Sequence, residues 1–280
     1  MADKKQKTIG KEITFAGVGL HTGSLTTVKL KPAEPDTGVN FIRTDLEPKT
    51  IIPALYTKVI GYVRGTAIGI NHHAVNTVEH LLSTLHGLEI DNIIIEMDNN
   101  EPPVFDGSSK LFVKLLLESG IVEQSAPKHY VYIKKTIAYT NGMTKITAYP
   151  SDKLILDCSI EYDHPLVSKQ NISLEITPEN FIKEISAART YCFDFEIESL
   201  KKIGLAKGGG LENTVIIGVE NIHNPEKLRY PDEFVRHKLL DLLGDIYLLG
   251  KPIIGRIVAV RSGHKHNINF AKLINDTNES

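Results

Sequence analysis

The residues most able to do chemistry lie in Phe234-Val-Arg-His237-Lys238-Leu-Leu-Asp241-Leu-Leu-Gly244-Asp245-Ile-Tyr-Leu-Leu. At about 100° per residue, Phe234, His237, Asp241, Gly244, Asp245 and Leu248 share one side of a helix, so the polar stripe runs among apolar residues and is not a solvent face. A carboxylate and an imidazole withdrawn from water need hydrogen bonds, a charge partner or a metal. A His and an Asp one helical turn apart can reach the same ion. His80 offers a third ligand and follows Glu79 on a second helical stretch whose other residues, Val78, Leu81, Leu82 and Leu85, are core-like. The plainer reading of that stretch is a capping box between Asn76 and Glu79, with His80 a satisfied core histidine. Two His and one Asp leave one position of a tetrahedral zinc open, the pattern of hydrolytic rather than structural sites.

Water at such a position loses its proton near neutral pH, and a neighbouring carboxylate can take that proton as the water attacks a carbonyl. Glu79 fits this role. The leaving group then needs an acid, for which His264 in Arg261-Ser-Gly-His264-Lys-His is the candidate, oriented by Asp245. Its alternative is a solvated histidine near the chain end. Lys207 with Gly208-Gly209-Gly210 could cradle an anion on backbone amides or simply turn. Ala188 to Phe195, followed by Ile197, Leu200, Ile203 and Leu205, could line a hydrophobic tunnel or pack a core, and periodicity does not separate the two. His72 and His73 read as loop histidines, and His21 as part of a tight turn between Gly19 and Gly23.

The elements that must position these groups fall into two series. Runs of β type at Glu12 to Phe15, Leu25 to Leu30 and Gly38 to Ile42, with the turn Pro35-Asp36-Thr37-Gly38, predict a small sheet. Asn76 to Gly87 predicts a helix with an Asn N-cap, followed by the apolar strand Asn92 to Met97 and a second helix from Ser108 with Leu111, Phe112, Leu115 and Leu116 inward. Glu123 to Lys128 is the polar stretch best suited to a linker, which places domains at residues 1–123 and 124–280. The second half repeats the order: β runs at Tyr130 to Ile137, Thr144 to Tyr149 and Leu154 to Tyr162, then the helix from about Pro231 to Leu249 and the strand Ile257 to Val260. Helix with an early His, turn, apolar strand occurs from His80 to Met97 and again from His237 to Val260, which suggests two similar halves. The fold class that follows is α+β, with two layered domains.

The 280 residues suffice for two cores, and 32 basic against 34 acidic residues give a net charge of -2, so no global field favours nucleic acid or an anionic membrane. Cys158 and Cys192 are the only cysteines, and the segment Met1 to Lys7 lacks a signal peptide's apolar core. With no run of about 18 uninterrupted apolar residues, the reading is a cytoplasmic protein without stable membrane insertion, transient contact with a membrane remaining open. Nothing in the chain demands a partner protein, so a monomer is expected.

Taken in order, Gly17-Val-Gly-Leu-His-Thr-Gly23, Thr77-Val-Glu-His80, Phe105-Asp-Gly-Ser108, Ala188-Arg-Thr190, Phe234-Val-Arg-His-Lys-Leu-Leu-Asp241 and Ser262-Gly-His264 closely resemble the UDP-3-O-acyl-N-acetylglucosamine deacetylases, zinc hydrolases of bacterial lipid A synthesis. The resemblance runs from about Lys7 to Ala271. It implies a catalytic zinc on His80, His237 and Asp241, a site that ferrous iron could also occupy, with Glu79 as general base and His264 as acid held by Asp245. It further implies that Thr190 contacts the reacting carbonyl oxygen, that Lys238 lies near the substrate's diphosphate, and that Tyr162 stacks on the uracil. Tyr191, Phe193 and Ile197 would belong to an insert at about 190–210 that forms the acyl passage, beside Gly209 and Gly210 as backbone contacts. Gly65 stands where some members carry a cysteine able to hold an extra metal, and it offers no such ligand. The implied fold has two helices on a sheet in each domain, the helices of both packed together between the sheets. The rivals are another zinc amidohydrolase of N-acyl sugars and a non-catalytic metal-binding protein.

Overall fold

The computed structural model describes residues 4–278; Met1, Ala2 and Asp3 of the polar amino-terminal segment, and Glu279 and Ser280, lie outside the described residues. Local β propensity and period-two alternation organise the first half. Its elements are β1 (Lys5–Ile9), β2 (Ile13–Val18), β3 (Leu25–Pro32), β4 (Val39–Arg43), β5 (Thr50–Pro53), β6 (Val59–Gly61), β7 (Ala67–Ile70), β8 (His73–Val75), α1 (Glu79–Gly87), β9 (Ile93–Met97), α2 (Lys110–Glu118) and β10 (Ile121–Pro127). The second half has β11 (Val131–Tyr132), β12 (Ile137–Asn141), β13 (Thr144–Tyr149), β14 (Leu154–Glu161), β15 (Lys169–Glu175), the single turn α3 (Pro178–Asn180), β16 (Tyr191–Phe193), α4 (Ile197–Lys202), β17 (Val215–Ile217), α5 (Glu233–Tyr247), β18 (Ile253–Val260) and α6 (His264–Asn278).

The two main sheets have the same wiring. One runs β2-β3-β9-β4-β5 and the other β12-β13-β18-β14-β15, with β11 added on β18. In each, the apolar strand that follows the long buried helix is central, antiparallel to one neighbour (β3 or β13) and parallel to the other (β4 or β14). The repeated order seen in the sequence is therefore a repeated topology. Every residue of α1 is buried, and so is nearly all of α5, because these helices lie between the sheets: α1 packs on α5, α5 on α6 and on β14 and β15. Two apolar clusters result, one around Val28, Phe41, Leu81, Ile95 and Phe112, the other around Ile146, Leu156, Leu239, Ile257 and Phe270. Tyr247 and Leu248 at the end of α5, and Ile268 of α6, belong to the first cluster, so the halves interlock.

Three expectations need correction, and one alternative falls away. Glu123 to Lys128 is not an open linker: most of it lies in β10, which pairs antiparallel with β1 and ties the chain's beginning to the crossover between halves. The first buried helix starts at Glu79, with Val78 as an N-cap that makes no side-chain bond; there is no capping box with Asn76. His73 opens a strand, and its ring meets the Thr50 hydroxyl. His264 is no loose histidine: it begins α6, whose Ile268, Phe270, Ala271 and Ile274 are buried. No helix among the described residues is long and apolar enough to cross a membrane.

Candidate metal centre and catalytic cleft

The amino-terminal turn of α1 and the middle of α5 bring His80, His237 and Asp241 together. One ligand atom from each lies within 4.8 Å of the others, and all three residues are buried. Asp241 Oδ1 sits 3.4 Å from His237 Nε2 and 3.7 Å from His80 Nε2, and the imidazoles meet edge to face at 4.9 Å. Burial depresses both imidazoles, His80 down to about 3, so these contacts join a carboxylate to neutral rings. Burial opposes the charge of Asp241 too, but Lys238, whose Nζ donates to Oδ2 at 2.8 Å, holds it well below the usual carboxylate range. Asp241 Oδ1 is buried with no hydrogen-bond partner among the described residues. A buried carboxylate oxygen without a donor, beside two nitrogen lone pairs, is the donor set a divalent cation would complete. His237 Nδ1 donates to the Ala188 carbonyl at 3.1 Å, which leaves Nε2 free to ligate.

Glu79 stands beside this centre, and its carboxylate comes within 4.8 Å of ligand atoms of Asp241 and His264. Oε2 accepts the Thr66 amide at 2.9 Å; burial, then the charges of Asp245 and Asp241, push the group up to about 7. His264 Nδ1 donates to Asp245 Oδ2 at 3.0 Å. Burial works against its charge, yet the charge and hydrogen bond of Asp245 outweigh that and raise it to about 9. Asp245 is itself held by Asn267 Nδ2 at 2.8 Å and by the Thr66 hydroxyl.

Glu79, His80, His237, Asp241 and His264 line a cleft of about 320 Å³ that Arg64, Tyr162, Thr190, Tyr191 and Lys238 also border, while Asp245, Asn267 and Thr66 stand behind its wall. Thr190 is placed by backbone: its amide donates to the Gly107 carbonyl at 2.8 Å, and a Cβ at Gly107 would stand 1.8 Å from the Asn213 carbonyl. That contact gives the Phe105-Asp-Gly-Ser108 motif its structural reason. Glu233, fully buried, accepts from the amide and side chain of Arg189 and so fixes the Ala188 to Thr190 segment that serves both His237 and the cleft.

The segment 191–217 folds as β16, α4 and β17, with β16 and β17 parallel. It is tied down by an Arg64–Glu196 ion pair and by His21, whose turn takes the amides of Lys207 and Gly208 on its carbonyls. Phe193 is buried against Tyr162 and His164 and, like Ile197, lies outside the cleft lining. The three consecutive glycines form a turn. The amides of Gly208, Gly209 and Gly210 donate to Leu20, Ala206 and Asn213, none is left for an anion, and neither Gly209 nor Gly210 lines the cleft. Nothing in the sequence around Thr66, Asn267 and Glu233 marks them as contributors to the site, whereas Gly107 sits within Phe105-Asp-Gly-Ser108.

Residues 6–276 match the model of one protein family, described as UDP-3-O-acyl N-acetylglycosamine deacetylase. Proteins named UDP-3-O-acyl-N-acetylglucosamine deacetylase match over most of their length. The one from Myxococcus xanthus (strain DK1622) is 41% identical over 262 residues, 94% of this chain and 83% of its own. That from Teredinibacter turnerae (strain ATCC 39867 / T7901) is 43% identical over 265 residues, covering 94% and 88%. That from Bdellovibrio bacteriovorus (strain ATCC 15356 / DSM 50701 / NCIMB 9529 / HD100) is 42% identical over 259 residues, covering 92% and 86%.

Proposed function

The chain belongs to the UDP-3-O-acyl-N-acetylglucosamine deacetylase family, and we propose on that footing that it hydrolyses the 2-acetamido group of a UDP-linked, 3-O-acylated N-acetylglucosamine. The products are acetate and the free 2-amino sugar nucleotide, in the committed step of lipid A synthesis. The observation that carries metal dependence is the partnerless Asp241 Oδ1 facing two neutral imidazole nitrogens. His80, His237 and Asp241 would hold zinc, or ferrous iron, in a site with room for a further ligand. Such an ion supplies Lewis-acid chemistry, polarising the amide carbonyl and making water nucleophilic near neutral pH.

The protein's own groups do the rest. Glu79, held by the Thr66 amide, accepts the proton of the attacking water. The Thr190 hydroxyl donates to the oxyanion that develops on the former carbonyl. His264, kept protonated by Asp245, gives its proton to the departing amine. Lys238 serves the diphosphate side of the cleft while bracing Asp241, and Tyr162 packs against the uracil. Tyr191, Phe193 and Ile197 shape the acyl passage of the insert. We take residues 1–123 and 124–280 as the two domains, and the protein as a cytoplasmic monomer with two free thiols.

Acetate release from UDP-3-O-(3-hydroxyacyl)-N-acetylglucosamine tests the reading, measured before chelation, after it, and after zinc is restored. Release that follows the metal, and inhibition by UDP, are the expected results. A folded, zinc-loaded protein that releases no acetate across several acyl lengths would overturn the assignment. Activity without UDP inhibition would move it to another N-acyl substrate, and unfolding on chelation would mark the ion as structural.

A further inference from the structure

Thr66 lies just before β7, fully buried, and its three polar groups are spent on three parts of the site. Its amide donates to Glu79 Oε2 at 2.9 Å, its hydroxyl donates to Asp245 Oδ1 at 2.6 Å, and its carbonyl accepts the amide of Val78, which caps α1, at 3.1 Å. Glu79 is on α1 and Asp245 on α5, so one residue spans the junction between the halves. We infer that Thr66 is a positioning residue for the deacetylation, fixing the base Glu79 and the Asp245–His264 pair relative to each other.

The inference rests on the roles given to Glu79 and His264 above. Its physical basis is the accounting at Asp245. Oδ2 takes His264 Nδ1 and Asn267 Nδ2, while Oδ1 takes the Thr66 hydroxyl and no other donor among the described residues. An O–H donor at that distance is a charge-assisted bond, and it stops the carboxylate from turning about its Cβ–Cγ axis. The imidazole plane of His264 follows the carboxylate. On the other side the Thr66 amide occupies Glu79 Oε2 and leaves Oε1, which has no hydrogen bond among the described residues, to take a proton. A threonine that merely filled space would need no such set of partners on both machineries, since a valine has the same shape.

The test compares Thr66→Val with Thr66→Ser in the zinc-loaded enzyme, reading kcat and KM for acetate release and the downfield imidazole N–H resonance of His264. Outer partners of this kind contribute roughly 10- to 100-fold, so Thr66→Val should lose about that much in kcat with KM within about twofold. Thr66→Ser should stay within about threefold of the wild type, because the hydroxyl is kept. The resonance should broaden or shift in Thr66→Val and persist in Thr66→Ser. In a His264→Ala background, Thr66→Val should cost nothing further, the signature of two residues acting through one path. Wild-type kcat and resonance in Thr66→Val would overturn the inference, as would a Thr66→Ser variant that falls as far as Val. Should Thr66→Val not fold, Thr66→Cys takes its place: a cysteine variant equal to serine would overturn it, and one well below serine supports it. If the wild type itself released no acetate, the function proposed above would fail, while the resonance comparison would still decide the role of Thr66.

Discussion

Glu79 and His264 are both removed from water, yet burial leaves one able to accept a proton and the other able to give one. Glu79 is pushed up to about 7 by burial, whereas Asp245 overrides burial at His264 and lifts it to about 9. A base must be deprotonated and an acid protonated, so kcat/KM should rise as pH climbs through the Glu79 value and fall as it climbs through the His264 value. A dication bound beside them lowers both, so the limbs of this bell should lie at or below about 7 and 9; a flat profile between pH 5 and 10 would contradict the pairing. Substitution separates the roles. Glu79→Gln should keep its metal and lose on the order of 10²- to 10⁴-fold in kcat, whereas His80→Ala should lose the metal itself, as metal analysis beside initial rates would reveal. Full activity in Glu79→Gln would remove it as the base. The His80, His237 and Asp241 set was legible in the sequence because polar residues on an apolar helical stripe need an explanation. Thr66 was not, because its partners lie 13 and 179 residues away and its own neighbours look like an ordinary strand entrance.

At the scale of elements, the site depends on how closely α1 and α5 approach. A Cβ placed on Gly244 would stand 2.1 Å from the Glu79 carbonyl oxygen, so the helices touch backbone to backbone one turn from Asp241. Gly244→Ala gains about 1 kcal/mol in helix propensity, but overpacking of this severity costs about 3 kcal/mol or more, and the net effect should be a loss of about 2 kcal/mol or more. Urea unfolding would measure it. The same variant should bind metal more weakly, because the displaced α1 carries His80; an unchanged unfolding midpoint would mean the helices can separate freely. Helical periodicity exposed α5 and the apolar run exposed β9, but several elements escaped, β10 and α6 among them. The stretch Glu123 to Lys128, most of which lies in β10, reads as polar linker because its partner β1 is at the other end of the half, and a strand supported by so distant a segment leaves no local signature. Helix α6 opens with His-Lys-His-Asn, of which His264 and Asn267 owe their place to the Asp245 contact rather than to any local propensity.

For the molecule as a whole, the question is what holds the halves together away from the metal, and His86 is the group that reports on it. At the far end of α1 from Glu79, its Nδ1 donates to the Leu243 carbonyl of α5 at 3.1 Å and its ring stacks on Tyr247 at 4.5 Å. Burial first of all lowers it from 6.5 to about 4, the Leu243 hydrogen bond opposing. In the unfolded chain the imidazole takes a proton as pH falls below about 6.5, while in the folded protein it stays neutral until about 4. The unfolded state therefore binds more protons in that window. The stability contributed by the neutral, docked ring is complete above about 6.5 and is lost as pH drops toward 4, up to about 3 kcal/mol over the interval. His86→Gln can still donate to Leu243 but does not titrate. Its unfolding free energy should fall less than that of the wild type between pH 7 and 4, by about that same amount, and the groups common to both proteins, metal ligands included, cancel in the comparison. Parallel pH dependences for the two proteins would mean that the junction opens and hydrates His86 at little cost, and that the metal site rather than this end of the helix pair holds the halves in register.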